Sequence, residues 1–338
     1  MNTACTAPVF IVGTPRSGTT LTAQILGRHS RIFTGGENHF FEEIYSRRDE
    51  LGDPGEPGAR RRILERLATM YGRQNQPVDQ ESFTRLMADG STRKRLEAST
   101  SYRELLTTMM ELLREQAGKA RWGNNTPKDV FWVREILSFY PDARFLLCVR
   151  DVRDFLLSYK NQWRSKDPEQ SERLRKLYHP IVTSLVWKST VRRVPELLSS
   201  VPGPNRMIVR YESLVSAPEE TTRRMCEVVG EPFEPDMLAV DSHNSSHARS
   251  EKGIFSTSVG GWRAGLDPEE VYLAQRLNRQ ELELLGYERE PTTAGFAGVA
   301  RLVLTFPWSL GRAVRANSDH RGPLGAYLSR RARALVRS

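Results

Sequence analysis

The hydrophobic pattern of the chain opens on an unbroken apolar run, Val9-Phe10-Ile11-Val12. Its length and β-branched content predict a strand buried on both faces. A helical pattern follows from about Thr19 to Gly27, with Leu21, Ile25 and Leu26 on one side. A short segment, Arg31-Ile32-Phe33-Thr34, then leads to Gly35-Gly36-Glu37. Two further runs, Phe145-Leu146-Leu147-Cys148-Val149 and Met207-Ile208-Val209, read as buried strands. Trp122-Gly123-Asn124-Asn125-Thr126-Pro127-Lys128-Asp129 reads as a strand end with its loop. Helical spacing is expected at about 130–139, 151–163, 170–200, 217–229 and 267–284. Strands alternating with helices predict an α/β fold, a parallel sheet with helices on both faces.

Between these elements the pattern changes twice. Residues 49–60 hold Gly52, Pro54, Gly55, Pro57 and Gly58 and read as an exposed loop. Residues 59–118 are charged, helix-forming and poor in strand signals. They predict a helical insertion, about 45–120, over the active-site face of the sheet. Within it Leu105, Leu106, Met109, Leu112 and Leu113 form a helical stripe whose plainest use is core packing. The second change comes after residue 290. Residues 291–338 carry eight arginines against one acid, Asp319, and read as a basic tail on a main domain of residues 1–290. Val299, Leu302, Val303, Phe306, Leu310 and Val314 alternate there with Arg301, Arg312 and Arg315. Pro307 predicts two short amphipathic segments in place of one helix. Packing against its own domain, docking on an anionic membrane and docking on a partner chain all fit that pattern.

Candidate chemistry sits at the end of the first strand. Gly13-x-x-x-x-Gly18-Thr19-Thr20 has the spacing of a phosphate-cradling P-loop, but Thr19 stands where the usual Lys would be. The positive charge is on Arg16, inside the loop. A glycine-rich turn at a helix N-terminus offers amide groups and a positive dipole end to an anion. An NTPase of this class would hold magnesium with an acid at the end of a second strand. Here that strand ends in Arg150, which suits another anionic group. Asp151 follows, and Thr20 matches the magnesium-binding position of true P-loop enzymes, so a nucleotide kinase or NTPase stays the alternative enzyme.

These residues carry a resemblance. Thr14-Pro15-Arg16-Ser17-Gly18-Thr19-Thr20 resembles the 5′-phosphosulfate loop of sulfotransferases that use 3′-phosphoadenosine 5′-phosphosulfate (PAPS). Arg150 through Ser158 resembles their 3′-phosphate motif, an Arg closing a strand and a Ser eight positions on. Arg210-Tyr211-Glu212-Ser213-Leu214-Val215 is similar to the family's tyrosine-bearing segment near the nucleotide. Gly260-Gly261-Trp262-Arg263 is similar to its late closing loop. The four matches run in order from about Pro8 to Tyr287, with active-site motifs like those of tyrosylprotein sulfotransferases.

The resemblance implies a P-loop-NTPase-like fold, PAPS as co-substrate, 3′-phosphoadenosine 5′-phosphate (PAP) as product, and a hydroxyl acceptor. It implies a nucleotide site of Pro15, Arg16, Ser17, Gly18, Thr19, Thr20, Arg150, Ser158 and Tyr211, with Ser258, Trp262 and Arg263 from the late loop. Arg16 would meet the departing oxygen, Glu37 would be the base, and Lys128 would stabilise the transferring sulfonate. His39 is the rival base, since it titrates in the right range. The family's cytosolic members place a His in a Lys-Thr-His segment, where this chain has Asn125-Thr126-Pro127-Lys128; the difference favours Glu37. Their basic start of the late loop is replaced by Phe255-Ser256-Thr257-Ser258. No metal is expected, because Arg16 and Arg150 stand where a magnesium site would be.

Composition narrows this little. At 338 residues and net charge +9 the chain favours anionic ligands, an acidic membrane surface or nucleic acid. A basic adaptor for lipid or nucleic acid is therefore the non-enzyme alternative. Nucleic acid is disfavoured, because no aromatic-basic interleaving appears. Cys5, Cys148 and Cys226 are too few and scattered for a disulfide framework or zinc site. The N-terminus lacks a basic segment with a long apolar run behind it, and no stretch is long enough to span a bilayer, so a soluble cytoplasmic protein is expected. That expectation disfavours protein tyrosine as acceptor and leaves small molecules, sugars and lipids.

Overall fold

The computed structural model of the chain describes residues 6–71, 89–162, 168–240 and 253–316. Five strands form one sheet: β1 Val9–Gly13, β2 Ile32–Thr34, β3 Arg121–Asn125, β4 Arg144–Val149 and β5 Arg206–Arg210, in the order β2-β3-β1-β4-β5. β1 pairs in parallel with both β3 and β4, and β2 with β3. Helices flank this parallel sheet, the α/β architecture the alternating pattern predicts. The chain leaves β1 toward β2 on one side and passes from β3 over β1 to β4 on the other. The carboxyl end of β1 is thus where the strand order reverses, the place open α/β sheets put ligands.

The centre of the sheet is apolar for the reason the sequence shows. Val9, Phe10, Ile11 and Val12 have no exposure, and Phe145 and Leu146 lie beside Phe10 and Ile11 in register. Phe10 stacks on Phe145 with centroids 5.7 Å apart and meets the edge of Trp122 at 5.9 Å. Rings of this size dominate the burial energy of a sheet centre. β3 breaks the apolar rule: Arg121-Trp-Gly-Asn-Asn is buried throughout. Arg121 donates from Nε to the Ala7 carbonyl and from Nη1 to the Val229 carbonyl at 2.6 Å, which makes its burial tolerable.

Several expectations need correction. Met207-Ile208-Val209 is not a buried strand: β5 ends the strand order, and only its Val209 is buried. The 49–60 loop shrinks to 52–56, because a turn of helix reaches Leu51 and the next helix starts at Pro57, a residue favoured at a helix start. The 151–163 helix is Val152–Lys160, with residue 163 outside the described residues. The 170–200 stretch is three helices, Pro168–Leu177, Pro180–Val191 and Val194–Ser200, because Pro180 begins a helix instead of continuing one. In the inserted region, helices Pro57–Tyr71, Gly90–Glu97 and Tyr102–Gln116 are present; residues 72–88 lie outside the described residues. Met110, not Leu113, completes the buried stripe of the last one.

The chain divides into two units, and the sheet belongs to the first, Met1–Cys148 with Glu196–Ser242. The second is Val149–Pro195 with His243–Ser338. In it Phe296–Ala316 is a single helix with Pro307 inside, against the expected two segments. It packs on Pro168–Leu177, Pro180–Val191 and Pro268–Leu277. Those contacts hold the helix through the one hydrogen bond that proline removes. Residues 317–338 of the expected tail lie outside the described residues.

Candidate active site

The loop after β1 is a cradle built by backbone conformation. Thr14 N–H donates to the Cys148 carbonyl at 3.3 Å, and Ser17 N–H donates to the Thr14 carbonyl at 3.2 Å. Arg16 has φ 65°, a left-handed conformation that costs a non-glycine residue energy and recurs at ligand clamps. Gly13 is forced: a Cβ there would meet the Cys148 carbonyl oxygen at 2.1 Å. Gly18, at φ 87°, caps the helix Thr19–Arg28, and a Cβ on it would meet the Tyr211 ring at 2.7 Å. Tyr211 is buried against the loop, giving the tyrosine-bearing segment a visible task.

This cradle fits an anionic group. The helix has no side-chain cap and no acid in its first turn, so its first amides and dipole face outward unneutralised. Buried Ser17 Oγ and Thr14 Oγ1 have no hydrogen-bond partner. Arg16 and Thr20 are exposed, Pro15 and Gly18 are half-buried, and Thr19 is buried. Nearby Cys148 is a core thiol, with no exposure; burial pushes its pKa up to about 12, so it is inert.

A second cluster lies at the carboxyl ends of β2 and β3. Buried Phe40 and Phe41 anchor the chain after Gly35-Gly36, Phe41 against Trp132 and Phe139. The anchor holds His39 at φ 49°, again left-handed. Its Nε2 lies 3.1 Å from Glu37 Oε2, and its Nδ1 lies 3.6 Å from Glu42 Oε2. Glu42 in turn accepts from Lys128 Nζ at 2.8 and 2.9 Å. Burial of the imidazole opposes its charge, but the Glu37 and Glu42 carboxylates overrule it and raise its pKa to about 9. Glu42 moves the other way: burial opposes its charge, and Lys128 and His39 hold it well below the usual carboxylate range. At neutral pH the ring between the two glutamates is an imidazolium and Glu42 is a carboxylate.

Beneath this chain of charges is a buried polar network. Asn38 N–H donates to Thr126 Oγ1, Thr126 Oγ1 to Asn124 Oδ1 at 3.1 Å, and Asn124 Nδ2 to Asp129 Oδ2 at 2.7 Å. Asp129 has no exposure, and burial raises its pKa to about 8. It is mostly neutral at pH 7. Glu42, Asn124 and Asp129 are therefore parts of this cluster that sequence reasoning does not single out. Nothing in the spacing of one sequence marks them; only the fold brings 37–42 to 124–129.

In the second unit, Arg150 Nη2 donates to the Ser258 carbonyl at 2.8 Å, and the Trp187 indole donates to the Arg150 carbonyl at 2.9 Å. Asp154 accepts from Gly260 N–H at 2.7 Å and Trp262 N–H at 3.1 Å, tying the late loop to the helix Val152–Lys160. Burial raises the Asp154 pKa. Trp262 is buried, with the guanidiniums of Arg153 at 4.3 Å and Arg263 at 4.6 Å from its ring centroid. Arg263 also pairs with Glu290. Asp151, which the sequence leaves as a metal candidate, caps the same helix and is forked to Arg153 at 2.6 Å. Ser158 is half-buried on that helix. The structure thus brings Ser258, Trp262 and Arg263 to one loop held by Arg150 and Asp154.

A family model described as the sulfotransferase family matches residues 8–235. The chain is similar to the nodulation protein NoeE of Sinorhizobium fredii, 25% identical over 315 residues, 86% of this chain and 68% of that protein. It is similar to a putative protein-tyrosine sulfotransferase of Caenorhabditis briggsae, 23% identical over 236 residues, 68% of each chain. Among solved structures it resembles the sulfotransferase domain from the curacin biosynthetic pathway. There the TM-score is 0.56 at 18% identity, covering 85% of this chain and 100% of that one. The sulfotransferase domain from the Synechococcus PCC 7002 olefin synthase gives 0.51 at 19% identity, over 86% and 99%. At such identities the structural likeness speaks to the fold.

Proposed function

The chain belongs to the sulfotransferase family and is an enzyme of sulfuryl transfer; we propose that it moves the group from PAPS to the hydroxyl of a small-molecule, sugar or lipid acceptor. The donor supplies an activated sulfuryl group, and the rest falls to the chain's own residues. Arg16, the first amides of the helix Thr19–Arg28, and the Ser17, Thr19 and Thr20 hydroxyls would hold the 5′-phosphosulfate end. Arg150 and Ser158 would hold the 3′-phosphate. Glu37 would take the acceptor's hydroxyl proton as the acceptor oxygen bonds to sulfur. Arg16 would meet the charge left on the departing phosphate oxygen, the task magnesium performs in other transferases. Lys128, fixed by Glu42, would face the transferring sulfonate. Tyr211 backs the loop, and the Ser258–Arg263 segment would close on the nucleotide.

One observation carries the choice of base. The His39 imidazole lies between the Glu37 and Glu42 carboxylates, at 3.1 and 3.6 Å, which raise its pKa to about 9, so at neutral pH it has no lone pair to accept a proton. Glu37, 3.1 Å away, keeps a second carboxylate oxygen for the acceptor. The test uses labelled donor with a metabolite extract, followed by the labelled acceptor once identified. Glu37→Gln is expected to cost on the order of a hundredfold or more in turnover. PAP binding by calorimetry should stay at the wild-type value and exceed ADP binding. A Glu37→Gln enzyme at the wild-type rate beside a dead His39→Ala enzyme overturns the assignment. Equal wild-type affinity for PAP and ADP overturns the 3′-phosphate reading.

A further inference from the structure

The helix Phe296–Ala316 has two unlike sides. One is packed: Ser309 is 4% exposed, Leu302 and Phe306 are half-buried, and His179 Nε2 lies 3.3 Å from Thr305 Oγ1. The other is apolar and in water. Phe296 is 90% exposed, Leu304 79% and Trp308 66%, with Val303 and Leu310 also exposed. Successive helix residues advance by about 100°, so Leu310, Val303, Phe296, Pro307, Leu304 and Trp308 share an arc of roughly 160°. Exposed apolar residues scattered singly mean nothing, whereas a contiguous face of this kind marks a docking surface.

Charge selects the occupant. Exposed Arg301 and half-buried Arg312 border the arc on the Trp308 side, and the Arg312 guanidinium lies 3.9 Å over the Trp308 ring. No acid occurs between residues 291 and 318. An interfacial helix has this composition: aromatic and aliphatic side chains on one face, arginines at its rim, Trp at the boundary. A two-fold dimer through the same face with the helices antiparallel would set each arginine rim against its own copy, a like-charge contact. No helix among the described residues is long and apolar enough to cross a membrane, so the fit is to a surface.

We propose that this face of Phe296–Ala316 docks on an anionic lipid bilayer, with Leu304 and Trp308 in the acyl boundary and Arg301 and Arg312 at the headgroups. Packing on three other helices means that the segment is already helical before it meets lipid. It therefore avoids the ordering cost of a free amphipathic peptide.

The test is sedimentation of the full chain with vesicles of phosphatidylcholine alone or with about one-third phosphatidylglycerol, at low and high salt. The wild type is expected to pellet with the anionic vesicles at low salt and to be released by salt. The double variant Leu304→Glu/Trp308→Glu changes only exposed side chains. It should melt like the wild type and lose binding by about tenfold or more. No pelleting of the wild type on anionic vesicles at low salt overturns the proposal. So does equal pelleting of the double variant, which would move the contact elsewhere. A lipid-independent dimer that the double variant dissociates would assign the face to a second copy and overturn it as well.

Discussion

Replacing His39 by Gln tests the charged chain most directly. The substitution keeps polar reach and removes the positive charge between Glu37 and Glu42. The rise of the His39 pKa from 6.5 to about 9 corresponds to about 3 kcal/mol of preference for the protonated ring in the folded state. The sign is that of a raised group. The stabilisation is complete below pH 6.5 and is lost as pH rises through about 9. Wild type should therefore lose about 3 kcal/mol of stability over that window, and His39→Gln should lose none of it. Catalysis should follow the same charge. A charge-assisted contact that orients Glu37 is worth about 2 kcal/mol, so kcat should fall roughly thirtyfold while the KM for donor is unchanged. Wild-type kcat should fall toward the variant's above pH 9, and the variant should show no such limb. Denaturant melts and transfer rates from pH 6 to 10 give both numbers. A variant with kcat within about twofold of wild type and an identical alkaline limb refutes the reasoning, because the imidazolium would then orient nothing.

Two further outcomes are expected. Asp129 has its pKa raised to about 8 by burial, so its proton stabilises the fold fully below about pH 4 and is lost through about pH 8. Asp129→Asn should remove a slope of about 1.4 kcal/mol per pH unit between those limits, read by denaturant melts of both proteins; parallel curves would refute it. Transfer activity should survive excess EDTA, because Arg16 sits inside the loop and Asp151, the nearest metal candidate after β4, is forked to Arg153. A large loss restored by magnesium would refute this and revive the NTPase-like reading.

The parts of the fold legible in the sequence are those whose burial is apolar. Val9–Val12 and Phe145–Val149 read as strands because they lie at the sheet centre, where nothing polar is tolerated without a partner. β3 was legible only as a strand end, because buried Arg121 finds its partners in the carbonyls of Ala7 and Val229, far away in the sequence. No local pattern encodes such partners. Met207–Val209 shows the converse error, since an apolar triplet reads the same whether the strand is central or ends the sheet. Pro307 was overread: a proline weakens a free helix, yet contacts along Phe296–Ala316 hold this one. The loop was legible because glycines mark positive φ, and Gly13 and Gly18 prove sterically obligatory. The couplings to Glu42 and Asp129 were not, because contacts between residues 37–42 and 124–129 exist only once β2 and β3 pair.

The 37–42 segment does more than stabilise the fold. It holds His39 left-handed, a conformation that costs on the order of 1–3 kcal/mol for a non-glycine residue. It sets His39 between the Glu37 and Glu42 carboxylates and Glu42 beside Lys128, four half-buried charges in one row. Beside them it keeps a carboxylic acid neutral, with Asp129 Oδ1 buried and without a hydrogen-bond partner. The arrangement does secure direction. Phe40 and Phe41 fix the backbone, the backbone fixes the imidazolium, and the imidazolium holds one oxygen of Glu37 while Glu42 holds Lys128. The outer carboxylate and the terminal ammonium are then fixed relative to each other through paired side chains. On the proposed assignment of Glu37 as base and Lys128 as cation, a constant separation between them is what in-line transfer to a hydroxyl requires, since proton removal and charge stabilisation act on the same transferring group.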